Sequence, residues 1–332
     1  MNGRLVTPLG VEIKLTDKCN SRCIHCIADC TSRGNSEIDA SRLEFIAKEI
    51  KSAGVFYVGL TGGEPLLYPD FFKFVALLKQ SGLRVGVTTN ALLINDEIAS
   101  MLKNYGIDLV RISLDGSCPE INDFFRGVRG HFEKVKNATR LLKEVGINPI
   151  ILSVISKYNA DDLENLINTA IVMGVPAINC YTLVPGGRGR ELKKYIFSPE
   201  EYRDFLRKII FLKEKYMSKI KIITETPLMN ILRHDSDHIC LAGRAQLFIK
   251  EDGDVVPCPY MDDYILGNIF TDTIKKMWGG KKLSNLISRS RLDPCCKRCR
   301  YVDGCFGGCR AASYAKYNRL DIKDPFCFME GE

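Results

Sequence analysis

The sequence predicts an α/β fold: a partial (β/α)6 barrel resembling an incomplete TIM barrel, followed by a small cysteine-rich domain. Three observations support this. Apolar runs of strand length alternate with helical patterns through the first 195 residues, the signature of a parallel sheet with right-handed crossovers. Glycines, polar residues and cysteines collect just after the strand ends, the face that carries the active site in parallel barrels. Six of the fourteen cysteines lie in the last forty residues, where hydrophobic periodicity is weak.

In order, the strands are expected over 10–16, 56–60, 84–88, 109–114, 149–155 and 177–183, with helices over 40–53, 70–80, 96–104, 131–145 and 161–173 between them. The first helix places Leu43, Ile46 and Ile50 at helical spacing, and Ser81-Gly82 stops the second. Six units fall short of eight-strand closure, so one side should stay open to a large substrate. A long amphipathic helix over 198–217 and a short strand over 220–223 follow. AQLFIKEDGDVVPC then reads as a hairpin turning at Asp252-Gly253, and two short helices are expected over 271–278 and 281–290. The expected domains are a barrel over 1–195, a helical bridge over 196–238 and a cysteine-rich domain over 239–332. The last segment can bury little core, so metal ligation is expected to hold it together.

Composition narrows the function. At 332 residues and 45% hydrophobic content, a sizeable core is available. No apolar run of about 18 residues and no signal-type N-terminus appear, so a cytoplasmic protein with no membrane span is expected. Fourteen cysteines in that compartment argue for metal ligation over disulfides. The net charge of +7 is interleaved with acidic residues; it suits a solvated surface or an acidic electron donor, and no basic-aromatic pattern specifies nucleic acid.

Cys19-Asn-Ser-Arg-Cys23-Ile-His-Cys26 follows the first strand. Three thiolates on one loop can hold three irons of a 4Fe-4S cluster, leaving the fourth open to a small molecule. Zinc, with Cys30 completing the set, and a Cys23/Cys26 redox dithiol are the competing readings. At the C-terminus stand Cys240, Cys258, Cys296-x2-Cys299-x5-Cys305-x3-Cys309 and Cys327, which by spacing alone also suit zinc ribbons. Cys30, Cys118 and Cys180 read as small buried apolar residues, although strand six points alternate residues into the barrel. His131, His234 and His238 carry no pattern.

The C-x3-C-x2-C loop, together with Gly62-Gly63-Glu64-Pro65 after the second strand, resembles the radical S-adenosylmethionine (radical SAM) superfamily. His25 occupies the place before the third cysteine where an aromatic is common. The resemblance implies that Cys19, Cys23 and Cys26 hold the cluster and that the methionine end of the cofactor chelates the open iron. It implies that Gly62, Gly63, Glu64 and Pro65 meet the methionine ammonium, glycine letting the main chain approach closely. By the same resemblance Ser113 and Asp115 bind the ribose, and Arg126 grips the cofactor carboxylate. The C-terminal cysteines are similar to the SPASM extension of that superfamily. Carried over by position, Cys240, Cys258 and Cys309 hold one auxiliary 4Fe-4S cluster, and Cys296, Cys299, Cys305 and Cys327 the other. The first would lack a fourth protein ligand, for which Cys295 is a candidate.

The chemistry so implied is reductive cleavage of S-adenosylmethionine to a 5′-deoxyadenosyl radical, which abstracts hydrogen from substrate. No acid or base is singled out. A peptide or protein undergoing modification is the favoured substrate, with tetrapyrrole or metal-cofactor maturation second. A flavodoxin- or ferredoxin-type donor is expected. The first motif begins at Cys19, which leaves no room for a fused peptide-recognition domain, so a separate recognition protein could replace it. A non-catalytic iron–sulfur or zinc protein is the contrasting reading, and it leaves Glu64 and Asp115 without a role.

Overall fold

The computed structural model describes residues 4–233, 238 and 240–329; His234 lies outside them. Six parallel strands come first: β1 (Gly10–Lys14), β2 (Tyr57–Thr61), β3 (Arg84–Thr89), β4 (Leu109–Ser113), β5 (Ile150–Ile155) and β6 (Ala177–Thr182). Their intervening helices are α1 (Leu43–Ser52), α2 (Phe71–Gln80), α3 (Asp96–Asn104), α4 (Pro119–Arg126), α5 (His131–Glu144) and α6 (Leu163–Val172). The long helix α7 (Pro199–Tyr216) leads to β7 (Lys221–Ile223), which extends the sheet parallel to β6.

Local chemistry explains the boundaries. Asn95 caps α3 by accepting from Ile98 N, and Ser198 with Glu201 forms a reciprocal capping box ahead of α7. The sequence reading missed α4, although its signals are present: Pro119 at its start and Gly127, at φ 63°, just past its end.

The C-terminal hairpin is the larger departure. Strands β8 (Gln246–Ile249) and β9 (Asp254–Val256) are antiparallel as expected, turning at Gly253 with φ 88°. However, β8 also pairs in parallel with β1, Gly10 facing Gln246. With β10 (Gly267–Asn268), the described residues form one sheet in the order β10-β9-β8-β1-β2-β3-β4-β5-β6-β7. The cysteine-rich segment therefore begins as an extension of the barrel sheet. Leu5 N donates to the Arg244 carbonyl at 3.0 Å and Trp278 Nε1 to that of Leu5 at 2.9 Å, which binds the N-terminal segment to the same edge.

Strand alternation separates two faces. Val11, Ile13, Val58, Leu60, Val85 and Val87 are buried against the helices. Cys180 shares a face with Thr182, whose hydroxyl donates to Tyr202 of α7 at 3.0 Å, so Cys180 lies in the helix-side core and not in the barrel interior. The opposite face carries Glu12, Gly59 and Gly86 in register. Beyond the hairpin the described helices are short, Ile274–Gly279, Lys281–Leu286, Pro294–Arg298, Val302–Cys305 and Arg310–Tyr317. No helix among the described residues is long and apolar enough to cross a membrane.

Candidate active site and cysteine groups

The Cys19–Cys26 loop leaves the C-terminal end of β1 and is held against the turn after β2. Gly63 N donates to the Thr16 carbonyl at 2.7 Å and Glu64 N to that of Lys18 at 2.8 Å. A Cβ on Gly62 would stand 2.8 Å from the Thr16 oxygen, and one on Gly63 only 2.9 Å from Cys19 Cβ. The bare backbone of this turn packs closely against the segment entering the cysteine loop. Glycine is needed there because two main chains touch.

From the other side the loop is fixed by the segment after β6. Arg188 donates from Nε to the Cys23 carbonyl at 2.9 Å and from Nη1 to that of Cys30 at 3.0 Å. Its own N–H reaches the Cys26 carbonyl at 2.9 Å. Gly187, at φ 48°, leaves no room for a Cβ against that same carbonyl. Arg188 was passed over in the sequence as part of a glycine- and arginine-rich loop.

The three thiols meet donors suited to thiolates. Cys19 Sγ receives Ser21 N at 3.4 Å and Asn90 Nδ2 at 3.8 Å, and Cys23 Sγ receives Arg126 Nη1 at 3.8 Å. Cys30, whose thiol donates to the Ala28 carbonyl at 3.6 Å, lies close enough to Cys26 to lower its pKa. Burial pushes the Cys19 thiol up to about 12, a penalty that binding to iron removes.

The expected cofactor contacts gather beside this loop, but several are engaged by protein partners. Glu64 is fully buried; Oε1 accepts from Thr89 Oγ1 at 2.7 Å and Leu66 N at 3.2 Å, and Oε2 from Asn90 N at 2.8 Å. Three of its roughly four acceptor sites are thereby used, and burial still pushes its pKa up to about 7. Pro65 opens the short helical turn that Glu64 caps. Ser113 closes β4 and is buried. Asp115, also fully buried, accepts Val154 N at 2.7 Å and pairs with Arg126 Nε at 2.6 Å. Arg126 thus engages Asp115 and Cys23 within the chain.

His25 packs its ring 4.9 Å from Phe125 and sets Nε2 3.5 Å from Asp115 Oδ2; burial depresses its pKa to about 4, so it is neutral. Asn122 accepts Asp115 N at 3.0 Å and meets His131 Nδ1 at 3.0 Å, giving His131 a place behind Asp115 that its sequence context did not signal.

These residues fit an additional polar group. His25 Nδ1 is a buried atom without a hydrogen-bond partner, and such an orphan in a native interior marks a missing partner; Asp115 Oδ2 and Arg126 Nε face each other at 2.6 Å.

The C-terminal cysteines fall into two groups. Cys240, Cys258 and Cys309 lie within electrostatic reach of one another. Cys296 and Cys305 are coupled to Cys327, and Cys327 to Cys299. Cys295, the candidate fourth ligand of the first group, has Asp293 and Cys296 as its neighbours. Tyr260 senses Cys258, Cys309 and Cys26, standing between the first group and the barrel loop. Asp324, which the sequence gave no reason to single out, accepts Cys309 N at 2.6 Å, while its carbonyl accepts Cys327 N at 2.9 Å. Arg310 is 8% exposed, with Nη2 donating to the Arg291 carbonyl at 3.2 Å and Nε and Nη1 unpartnered among thiols that become anions on ligation. All fourteen cysteines are free of disulfides. Among the described residues no three His, Cys, Asp or Glu converge as one metal ion requires. The groups fit multi-iron clusters better than a single tetrahedral zinc.

Comparison with known proteins agrees. Residues 13–170 match the model of the radical SAM superfamily, and residues 240–300 that of the SPASM iron-sulfur cluster-binding domain. An AdoMet-dependent heme synthase of Methanosarcina barkeri is 28% identical over 96% of both chains. Mycofactocin maturase MftC of Mycobacterium tuberculosis is 29% identical, covering 97% of this chain and 83% of that one. Among solved structures, Streptococcus suis SuiB bound to precursor peptide SuiA superposes with TM-score 0.80 at 19% identity, over 97% of this chain and 76% of that one. Native anSMEcpe with bound AdoMet and the Cp18Cys peptide does so with TM-score 0.78 at 25% identity, over 96% and 94%. In this superfamily a reduced 4Fe-4S cluster cleaves S-adenosylmethionine to a 5′-deoxyadenosyl radical that takes hydrogen from substrate; the chain supplies position and shelter. With the cysteine loop, the strand-end residues and the cysteine-rich extension in these places, the chain belongs to the radical SAM superfamily, in its SPASM-containing subgroup, and is an enzyme of that type.

Proposed function

We propose that the enzyme modifies a peptide or protein. Cys19, Cys23 and Cys26 hold the cluster that binds S-adenosylmethionine; Cys240, Cys258 and Cys309 hold a first auxiliary cluster; Cys296, Cys299, Cys305 and Cys327 hold a second. In this assignment Asp115, Arg126 and His25 shape the cofactor pocket around Ser113, and Glu64 braces it through Thr89 and Asn90. A flavodoxin- or ferredoxin-type protein supplies the electron, and a separate protein presents the substrate.

The observation that carries the substrate class is the polarity of the barrel interior. On its inward face Arg111 donates to Tyr57 at 2.8 Å and lies 3.6 Å from Glu12, while Lys14 is bound to Glu251 at 2.6 Å. Both cations are thus engaged. Acceptors remain: Asn179 Oδ1 is buried without a partner, and Asn179 Nδ2 and Tyr181 Oη converge on Glu225 Oε1 at 3.3 and 3.4 Å. Such a wall suits amide and cationic donors of a peptide and repels the propionates of a tetrapyrrole. The maturase named among the relatives and the peptide-bound solved structures support the same reading. The heme synthase relative favours the tetrapyrrole reading at nearly equal identity, and the acceptors of the interior support the peptide reading over it.

The test is anaerobic reconstitution to about twelve irons, as three 4Fe-4S clusters require. Reduction with dithionite in S-adenosylmethionine follows, with either short peptides encoded beside the gene or an iron porphyrin added. Peptide-stimulated release of 5′-deoxyadenosine, with a mass change on the peptide, is expected. Turnover of the porphyrin alone would replace this reading with tetrapyrrole maturation.

A further inference from the structure

Arg310 opens the helix Arg310–Tyr317 directly after Cys309. Its Nη2 donates to the Arg291 carbonyl at 3.2 Å, but Nε and Nη1 have no hydrogen-bond partner in a residue 8% exposed. A guanidinium keeps its charge and its five donors wherever it is placed, so an unpaired one at this depth needs an anion. The surroundings indicate which. Gly307 has φ 80°, and a Cβ there would stand 3.6 Å from Arg310 Nη1 and 4.0 Å from Cys296 Sγ. The guanidinium and that sulfur therefore flank the same bare glycine. The carboxylates nearby are engaged elsewhere: Asp324 is turned to the backbone of Cys309 and Phe326, at 2.6 and 2.9 Å, and Asp321, within electrostatic reach of Arg310, is held by Arg319 at 2.8 Å.

We propose that Arg310 is a positioning residue for the second auxiliary cluster: its guanidinium is the counter-charge to the group held by Cys296, Cys299, Cys305 and Cys327, and it raises that group's reduction potential. The proposal rests on the cluster assignment above. A 4Fe-4S cluster that accepts one electron gains one negative charge, and nearby positive charge and donors to its sulfurs favour the reduced form. The electron is the one given up by the substrate radical on oxidation. The proton that leaves with it goes to solvent or a protein base, and the cluster stores only the electron. Arg310 thereby makes the second cluster the favoured resting place for that electron.

The experiment is an anaerobic redox titration of the full, reconstituted chain followed by EPR, with Cys299→Ala identifying the second cluster's signal. Arg310→Met should lower that cluster's midpoint by a factor of about ten in its reduction equilibrium, ~59 mV for one electron. Arg310→Lys should lower it by less than half as much, and the other clusters should not move. An Arg310→Met protein with full iron and an unchanged midpoint, or with the shift on another cluster, overturns the proposal. Loss of about four irons in Arg310→Met that Arg310→Lys restores supports the counter-charge; loss in both makes the residue merely structural and overturns it. Wild-type protein holding far fewer than about twelve irons would overturn the cluster assignment itself.

Discussion

Arg188 binds the carbonyl of Cys23 at 2.9 Å, although 165 residues separate them in sequence. This contact and the bond to Cys30 tie the loop at one strand end to the segment leaving β6. The cysteine loop is consequently clamped between that segment and the Gly62-Gly63 turn, and its geometry depends on both.

Replacing Arg188 by alanine removes two charge-assisted bonds, each worth about 1.5–3 kcal/mol. The Cys19–Cys26 loop should then load poorly while the C-terminal cysteines still bind iron. Iron content should fall by about four of about twelve, and formation of 5′-deoxyadenosine at least tenfold. Gly187→Ala, which drives a methyl group into the Cys26 carbonyl, should do the same. Equal iron loss from all clusters would contradict this local role.

Arg126 and Asp115 form a buried pair beside Cys23. Breaking such a pair from one side costs about 3–5 kcal/mol, because the other charge stays buried and unpaired. Arg126→Gln and Asp115→Asn should each lower the urea midpoint of the apo-protein strongly. The double variant should be less destabilised than the sum of the two by more than about 1 kcal/mol. Additivity would show that the pair is not coupled.

Much of this site was legible in the sequence because spacing over a few residues encodes it. The cysteine loop, the Gly-Gly-Glu-Pro turn and the six strand-helix units are local patterns, and the strands fall within one residue of expectation, save β1, which stops at Lys14, two residues before the expected 16. What was missed is long-range. Nothing in residues 246–249 announces a parallel partner at 10–13. The donors that brace Glu64, Thr89 and Asn90, arrive from the next strand end, which no local pattern around Glu64 announces. Cys180 looked available to the barrel because alternation fixes two faces without naming which one meets helix α7.

Glu64 makes stability pH-dependent. Its pKa is about 7 when folded, raised by burial against its hydrogen bonds, from an ordinary 4.5. The folded protein therefore holds the proton more tightly than the unfolded chain. Its stabilising contribution is full below about pH 4.5 and is lost as pH rises through 7, a loss of up to about 3 kcal/mol. In apo-protein, Glu64→Gln should remove this slope. The difference in urea stability between variant and wild type should grow in the variant's favour from pH 5 to pH 8, and a gap that stays flat would show that Glu64 does not titrate in this window.

The chain beyond residue 288 is expected to depend on its cysteines in a way the barrel does not. Its described helices run only four to eight residues, and besides its contacts with the main core it has a small cluster of Leu292, Cys296 and Val302. Elements that short bury too little surface to offset the chain entropy of ordering them, so ligation must supply the difference. The segment also presents Arg289, Arg291, Lys297, Arg298 and Arg300 as tryptic sites. Reconstituted protein should resist trypsin here, and removing iron with a chelator under oxidising conditions should open these sites within minutes, while the barrel persists because its buried strands and helices form a core without metal. Mass spectrometry of the early fragments reads the result. First cuts within the barrel, or no change on iron removal, would show that packing alone holds the C-terminal segment.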